Sequence, residues 1–304
     1  MATITQPVKT QTVATPRPPL SLARILIYTF LIIFAIASVT PFVYMVMNSL
    51  KTYGSTITNN LWPWPPFGTE PLQFQNYPDA IKEAGIDRSW NIPLIYRYFL
   101  NSLITVSLTV VGVILTSVMA AYALANMDLP GKNWVFLFIL ATIMVPGDLT
   151  LVPKVVMMFQ LKWYNTYAAL IIPFLASVFG IFLMRQFFLQ IPRDLFDAAL
   201  IDGAGHLTYL FRIVVPLSRP AIVTTALLNF IWAWDSFKWP LLVTKDANMR
   251  VLAVGLQQFV QSEGGTETHL MMAFATMVTL PIIILYFFTQ KYFQQGVIST
   301  GIKG

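Results

Sequence analysis

Residues 197–221 read DAALIDGAGHLTYLFRIVVPLSRPA, and this bend decides how the rest of the chain is interpreted. It holds two acids, two arginines, a histidine and two glycines, although long apolar runs lie close on either side. Glycine and clustered charges inside an otherwise apolar chain are typical of a segment outside the bilayer. The stretch therefore predicts a membrane protein that presents this bend to water, where another protein can bind it.

The composition points to the same class of protein. The chain has 304 residues, of which 56% are hydrophobic and 11% are charged, with a mean hydropathy of +0.66. A soluble domain carries about a quarter charged residues, so much of this surface does not face water. The net charge of +6 comes from scattered basic residues without a basic stripe, which excludes nucleic acid as a partner. The absence of cysteine excludes disulfides and thiolate metal sites, and we expect no metal centre.

Six segments are long and apolar enough to cross a membrane as helices, which takes about 20 residues each. The predicted fold is therefore all-α and integral to the membrane. The third segment is interrupted by VPGD at Val145–Asp148. The six predicted spans are Ala23–Met47, Phe99–Met127, Trp134–Val152, Tyr167–Met184, Val214–Val243 and Leu270–Phe288.

An even number of spans places both chain ends on one side of the membrane. The N-terminal tail carries Lys9 and Arg17 but no acid, and basic residues favour the cytoplasmic side. Both termini are therefore predicted to be cytoplasmic, and the bend at residues 197–221 with them. Trp62 and Trp64, in the segment predicted to be external, are either membrane-interface anchors or contacts for a soluble partner.

This topology gives the predicted domain organisation. A disordered cytoplasmic tail at 1–22 precedes a transmembrane domain at 23–290, and a cytoplasmic tail occupies 291–304. Within the domain, an external loop covers 48–98 and a cytoplasmic loop covers 188–213.

The periodicity of the bend predicts two short helices at an angle. One apolar face repeats at helical spacing up to Gly203, and a new phase starts after Gly205. Pro216 is predicted to open the next membrane helix, where its missing N–H costs little. An ordinary amphipathic loop between helices is the alternative. The two predicted stripes are Phe196, Ala199, Leu200 and Gly203, then Leu207, Leu210, Phe211 and Val214.

The bend resembles the EAA loop of the permease subunits of ABC importers. The shared pattern is an acid followed by two alanines, then glycine, isoleucine and proline at fixed offsets. Asp197 replaces the usual Glu and Val215 replaces the usual Leu. Further stretches, including RYFLNSLITVS at 97–107 and GVISTGIKG at 296–304, are similar to maltose-permease-type subunits over about residues 90–304. The residues that match the pattern, including those of its carbohydrate-importer form, are Asp197, Ala198, Ala199, Asp202, Gly203, Ala204, Phe211, Ile213 and Pro216.

The resemblance implies a type I ABC importer permease fold in a bacterial or archaeal cytoplasmic (inner) membrane. Its partners would be a homologous second permease subunit, two ATPase subunits, an extracytoplasmic substrate-binding protein, membrane lipid and a carbohydrate substrate. The bend would be a coupling helix that docks on an ATPase and drives alternating access. ATP and Mg²⁺ would bind to the ATPase alone, because this chain has no G-x-x-x-x-G-K-[ST] loop and is not itself an enzyme. The tail at 296–304 would either reach the ATPase pair or be disordered.

The fifth predicted span contains the candidate substrate path, NFIWAWDSFKWPLLV at residues 229–243. Tryptophan rings offer flat faces to sugars, and polar side chains offer hydrogen bonds to hydroxyls. A purely structural alternative is an ion pair between Asp235 and Lys238 along the helix, with Trp239 as an interface anchor. The candidate residues are Asn229, Trp232, Trp234, Asp235, Ser236 and Lys238.

Two other functions compete with an ATP-driven importer. A secondary transporter driven by an ion gradient would need buried acids, and Asp148 and Asp235 are the only acids inside the predicted spans. A membrane enzyme has less support, because His206 and His269 are predicted on opposite sides of the membrane. The chain also lacks H-E-x-x-H and G-x-S-x-G motifs.

Overall fold

The structure is a computed structural model that describes residues 22–57, 71–87, 89–259 and 267–301, with no side chains described for 291–301. Residues 1–21 of the predicted tail, Trp62, Trp64 and the last three residues of the chain lie outside the described residues.

The chain divides into two compact units, residues 1–44 and 45–304. Most of helix α1, Leu22–Ser49, belongs to the first unit, where its apolar side chains are exposed along the helix. The hydroxyls of Ser38 and Thr40 donate to carbonyl oxygens one turn earlier, at 2.8 and 2.7 Å. The helix thus satisfies its own polar groups, as a membrane-crossing segment must, and it contains the first predicted span.

The second unit opens with a small group of elements before the long helices. These are α2 (Tyr53–Ile57), α3 (Asn76–Glu83) and two antiparallel strands, β1 (Ile86–Asp87) and β2 (Ile92–Pro93). The strand pair departs from the predicted all-α fold. It forms because Asn91 lies in the left-handed region (φ 52°), which lets the chain reverse between the strands.

The remaining helices follow in chain order. They are α4 (Leu94–Asn126), α5 (Lys132–Ala141), α6 (Leu151–Gln160), α7 (Tyr167–Ile171), α8 (Val178–Phe188), α9 (Asp194–Ile201), α10 (His206–Tyr209), α11 (Val215–Leu217), α12 (Arg219–Trp234), α13 (Lys238–Val243), α14 (Leu252–Gly255) and α15 (Thr268–Gly301). Short 3₁₀ turns cover Thr142–Met144, Gly147–Thr150, Ile172–Phe174, Ala247–Met249 and Leu256–Phe259, and a π-helical turn covers Leu210–Val214.

The described residues contain up to six candidate membrane spans. Three are continuous, namely α1, α4 and Thr268–Gln290 of α15. Three more exist if each bent pair of helices counts as one span, with bends of 88°, 41° and 79°. The 88° bend falls between Met144 and Gly147, at the predicted VPGD interruption, and the helix after it continues to Gln160.

The fifth predicted span, Val214–Val243, is wrong as a single helix. The chain bends by 79° between Leu217 and Arg219, and α12 then ends at Trp234. Pro216 therefore lies in the short α11 and does not open the membrane helix; Pro220 occupies the first turn of α12 instead. The break between α12 and α13 has a steric cause: in a continuous helix the ring of Pro240 would clash with the carbonyl group of Ser236.

Helix α4 is the centre of the second unit. It packs against α8 and α12, and the three helices approach closely because small residues face one another there. A Cβ on Gly180 of α8 would lie 2.5 Å from Ser117 Oγ of α4 and 3.2 Å from Thr225 Cγ2 of α12. This close packing fixes the positions of the two surfaces described next.

Candidate functional site

The bend identified from the sequence folds into the segment from α9 to α11, residues 194–217, which we call the elbow. Helix α9 ends in a Schellman motif: the N–H of Ala204 donates to Ala199 O at 2.8 Å, and the N–H of Gly203 donates to Leu200 O at 3.0 Å. Gly203 has φ +78°, a conformation that only glycine adopts without strain. Gly203 therefore lets the chain turn sharply from α9 into α10.

Four aromatic rings, which we call the anchoring cluster, attach the elbow to α4. Tyr122 Oη of α4 lies 2.9 Å from His206 Nδ1, at the start of α10. Phe196 of α9 stacks on His206 with ring centroids 5.3 Å apart and meets Tyr209 edge-on at 5.0 Å. Helix α10 therefore contacts α4 directly through His206 and Tyr209, and α9 packs on α10 through Phe196.

The two predicted apolar stripes of the elbow are only partly correct. Ala199, Leu210 and Val214 are buried, whereas four other members of the stripes, Gly203 among them, are exposed. The π-helical turn at Leu210–Val214 has more residues per turn than an α-helix, which moves Val214 away from Phe211 around the axis, so Phe211 leaves the face that Leu210 and Val214 share. The exposed apolar members are Leu200 (49%), Leu207 (66%) and Phe211 (50%), and Ile201 beside them is 87% exposed.

An open groove of about 460 Å³ lies across the elbow, and we call it the elbow groove. Its lining includes Asp202 and Arg212, so it offers both charges, and small side chains make it shallow. Six of the residues matched to the loop pattern line this groove: Ala198, Ala199, Asp202, Gly203, Ala204 and Ile213.

The other three pattern residues lie elsewhere on the elbow. Asp197 is exposed in the first turn of α9 and faces a neighbouring pocket together with Arg193 and Asp128. A carboxylate at that position is stabilised by the positive end of the helix dipole. Phe211 is exposed outside the elbow groove, and Pro216 is half-buried in α11.

The predicted substrate-path residues are separated by the structure. Trp234 is buried, donates from Nε1 to Val278 O at 3.1 Å and stacks on Phe230. Ser236 lines a small cavity of about 20 Å³ next to Thr105. Trp232 lines that cavity as well, and it also lies beside Asn229 on a larger open groove.

The predicted alternative of an Asp235–Lys238 ion pair is wrong. Because α12 ends at Trp234 and α13 begins at Lys238, the two residues do not share a helix. Lys238 Nζ instead lies 3.4 Å from Asp148 Oδ1, at the bend of the third span. Both side chains are largely exposed, so this pair contributes little to stability. Asp235 is exposed, and Trp239 is buried with Nε1 donating to Ala169 O at 2.9 Å, so it is not an interface anchor.

Asn229 and Trp232 line a second open groove, of about 470 Å³, between α6, α8 and α12. We call it the aromatic groove. Its other notable residues are Lys154, Phe174 and Ser177. Lys154 is not among the residues predicted from the sequence, although a lysine inside an apolar run is a usable signal of a charge that faces a cavity. Among the described residues, no three His, Asp or Glu side chains cluster so as to hold a metal ion.

Comparison with known proteins places the chain in a family. The profile of the "binding-protein-dependent transport system inner membrane component" family matches residues 112–299. The arabinooligosaccharides transport system permease protein AraQ of Halalkalibacterium halodurans is 32% identical over 270 residues, which cover 89% of this chain and 93% of AraQ. The sn-glycerol-3-phosphate transport system permease protein UgpE of Brucella abortus is 34% identical, covering 74% of this chain and 80% of UgpE.

A solved structure agrees at the level of the fold. One chain of a bacterial ABC transporter that imports the acidic polysaccharide alginate superposes with a TM-score of 0.77 at 24% identity, covering 91% of this chain and all of that one. The family that the sequence resemblance indicated is confirmed by the profile and by AraQ. This chain belongs to the family of inner membrane components of binding-protein-dependent transport systems.

Proposed function

We propose that this chain is one of two homologous permease subunits in an ATP-driven importer that receives a carbohydrate from an extracytoplasmic binding protein. Family membership and the relatives AraQ and UgpE support a permease of this kind. The observation that carries the coupling mechanism is the elbow: a shallow groove of small residues with exposed Leu200, Ile201 and Leu207 around it. An apolar, shallow surface of this kind fits the contact with a second protein.

In this proposal the elbow is cytoplasmic and docks on an ATPase. Two ATPase subunits bind ATP and Mg²⁺, and their closure moves the elbow. The anchoring cluster then transmits the motion to α4, because Tyr122 joins α4 to α10 directly. The coupling residues are those of the loop pattern, with Asp197 offering a carboxylate to a basic side chain of the ATPase. Six spans with both termini cytoplasmic complete the proposed topology.

The aromatic groove is the proposed contact with substrate. Trp232 is 53% exposed and presents a flat ring, and Asn229 lies one turn earlier on α12. Because Trp234 packs inside the protein, it is not part of the path in this proposal.

Uptake into proteoliposomes tests the energy source. The permease is co-purified with its partner subunits and reconstituted, and uptake of radiolabelled maltose, arabinobiose, digalacturonate and sn-glycerol 3-phosphate is measured with the binding protein outside. We expect uptake only when ATP and Mg²⁺ reach the ATPase side. Uptake driven by a proton or sodium gradient without ATP would instead establish a secondary transporter.

Single-cysteine labelling tests the topology, because the chain has no cysteine of its own. Leu207→Cys places a thiol on the exposed side of the elbow, and Glu83→Cys places one at the end of α3. In intact cells an impermeant maleimide should label Cys at position 83 but not at 207. Labelling at 207 from outside would invert the topology and remove the proposed ATPase contact.

A further inference from the structure

The aromatic groove contains one charged side chain, Lys154, and no acid. Lys154 belongs to α6, inside a candidate membrane span, where a charged group is costly and normally faces a partner or a cavity. Here it faces the groove and is half-buried. A charge in this position is normally compensated by a negative group, and the lining of the groove contains none.

No described carboxylate neutralises Lys154. Within the described ranges the ion pairs are Lys82–Asp79 and Lys238–Asp148, so the acid at the bend of the third span is already taken. Asp235 lies three residues after Trp232 but does not line the groove. Phe174 lies below the ammonium group, with its ring centroid 6.0 Å from Nζ, at the outer limit of a cation–π contact. The charge thus remains available to a ligand.

The rest of the groove is suited to a sugar ring. Phe174 meets Trp232 edge-on at 5.1 Å, which holds the tryptophan in place while its ring stays exposed. The amide of Asn229 donates one N–H to Thr225 O at 2.8 Å, and this is its one hydrogen bond within the described part of the chain. Its oxygen and second N–H therefore remain free for hydroxyl groups.

We propose that the aromatic groove is a subsite for an anionic carbohydrate, and that Lys154 selects the carboxylate or phosphate of that substrate. The inference rests on the proposed transport function and narrows its substrate class. The relatives do not settle this point, since their names include both arabinooligosaccharides and sn-glycerol 3-phosphate. The juxtaposition of one unpaired ammonium, a fixed aromatic face and a free amide favours the anionic class.

The experiment compares charged and neutral probes in the reconstituted importer. The probes are digalacturonate and sn-glycerol 3-phosphate against arabinobiose and maltose, in neutral phosphatidylcholine vesicles. We expect ATP-dependent uptake of an anionic probe, and about a tenfold or greater loss in Lys154→Gln because the ion contact is removed. Lys154→Arg should retain most of the uptake. Lys245→Gln, which alters an exposed lysine away from the groove, should behave as wild type.

The possible outcomes distinguish a failure of the anionic subsite from a failure of the proposed transport function. ATP-dependent uptake of neutral probes alone would leave the importer intact and reject the anionic subsite. So would anionic uptake that Lys154→Gln does not change. Wild-type uptake that rises with added phosphatidylglycerol for anionic and neutral probes alike, and a Lys154→Gln variant that does not respond to this lipid, would assign Lys154 to lipid phosphate instead. If no carbohydrate enters with ATP, both the proposed function and the inference fail. Equal melting temperatures for Lys154→Gln and wild type will show that the variant is folded.

Discussion

Tyr122 Oη lies 2.9 Å from His206 Nδ1, and this hydrogen bond joins the central helix α4 to the first residue of α10. Both rings also belong to the anchoring cluster, in which Phe196 stacks on His206. The elbow is thus tied to the membrane helices by a polar contact as well as by apolar packing. A movement forced on the elbow has a direct route into α4.

Tyr122→Phe should weaken this connection while keeping the ring in place. A hydrogen bond of this type contributes about 1 kcal/mol, which corresponds to about a fivefold effect. We expect fewer substrate molecules transported per ATP hydrolysed, measured together in proteoliposomes. Tyr164→Phe is the matched control, since Tyr164 stacks on Phe159 and its hydroxyl makes no hydrogen bond to the described residues. Equal transport-to-ATP ratios in the two variants would show that the Tyr122–His206 contact does not carry coupling.

Ala198 and Ala199 are neighbours with different environments, so substitutions at the two positions test docking on the ATPase and folding separately. Ala199 is 5% exposed and packs beneath the elbow, whereas Ala198 is exposed on the elbow groove. Ala199→Leu should overpack this site and lower stability by about 1–3 kcal/mol, seen as a lower melting temperature in detergent. Ala198→Leu should melt as wild type but reduce co-purification of the ATPase.

The reverse pattern would overturn that interpretation of the elbow groove. A lower melting temperature for Ala198→Leu, or co-purification of the ATPase with this variant at the wild-type level, would mean that the groove is not the docking surface. Binding is measured by pull-down with tagged ATPase at matched permease concentration.

Gly180 sets the distance between α8, α4 and α12. Gly180→Ala would bring the new Cβ to 2.5 Å from Ser117 Oγ and 3.2 Å from Thr225 Cγ2. Both neighbours are short side chains on packed helices, so relief requires a helix to move, at a cost of about 1–3 kcal/mol. Thermal unfolding in detergent should therefore show a clear drop in melting temperature.

Gly112→Ala is the matched control for this close packing. Its new Cβ would meet the tip of the Leu175 side chain, and a flexible tip can rotate away. Alanine also favours the helix over glycine by about 1 kcal/mol, so Gly112→Ala should be neutral or stabilising. A larger drop in melting temperature for Gly112→Ala than for Gly180→Ala would contradict this packing.

Some features of the fold and of the grooves can be predicted from the local sequence, and others cannot. The break at VPGD and the turn at Gly203 follow from proline and glycine, whose backbone preferences act within a few residues. The π-helical turn that exposes Phe211 has no such local signal. The charge of Lys154 has a local signal, but its groove does not, because Phe174 and Trp232, which complete the groove, come from other parts of the chain. Only the packing of α6, α8 and α12 brings them together.

Asp87 makes the strand pair β1–β2 sensitive to acid. Its Oδ1 accepts a hydrogen bond from the N–H of Ser89 at 2.8 Å, and this contact holds the pKa of Asp87 below its ordinary value of 3.8. A carboxylate whose folded pKa is lowered stabilises the fold above the ordinary value and loses that contribution as pH falls through the folded pKa. The turn should therefore stay closed at neutral pH and loosen only below about pH 4.

Hydrogen exchange at the Ser89 amide measures this loosening. Protection in wild type should decline as pH falls below the ordinary Asp pKa, after correction for the intrinsic exchange rate. Asp87→Asn should remove the pH dependence, since an amide oxygen accepts the same bond without titrating. A decline of equal size in Asp87→Asn would assign the acid effect to another group.

Trp232 and Trp234 are two positions apart on α12, which places them about 200° apart around the helix. One ring must face away from the other, and the structure shows Trp232 exposed on the aromatic groove and Trp234 3% exposed between α4 and α15. Trp234→Ala should cost about 3–5 kcal/mol of stability, as large buried aromatic residues do. Trp232→Ala should change the melting temperature little but lower uptake, by about tenfold if the ring is buried against substrate. Since both variants remove the same side chain from the same helix, a shared loss of stability would place Trp232 in the core, and unchanged uptake with Trp232→Ala would remove the aromatic groove from the substrate path.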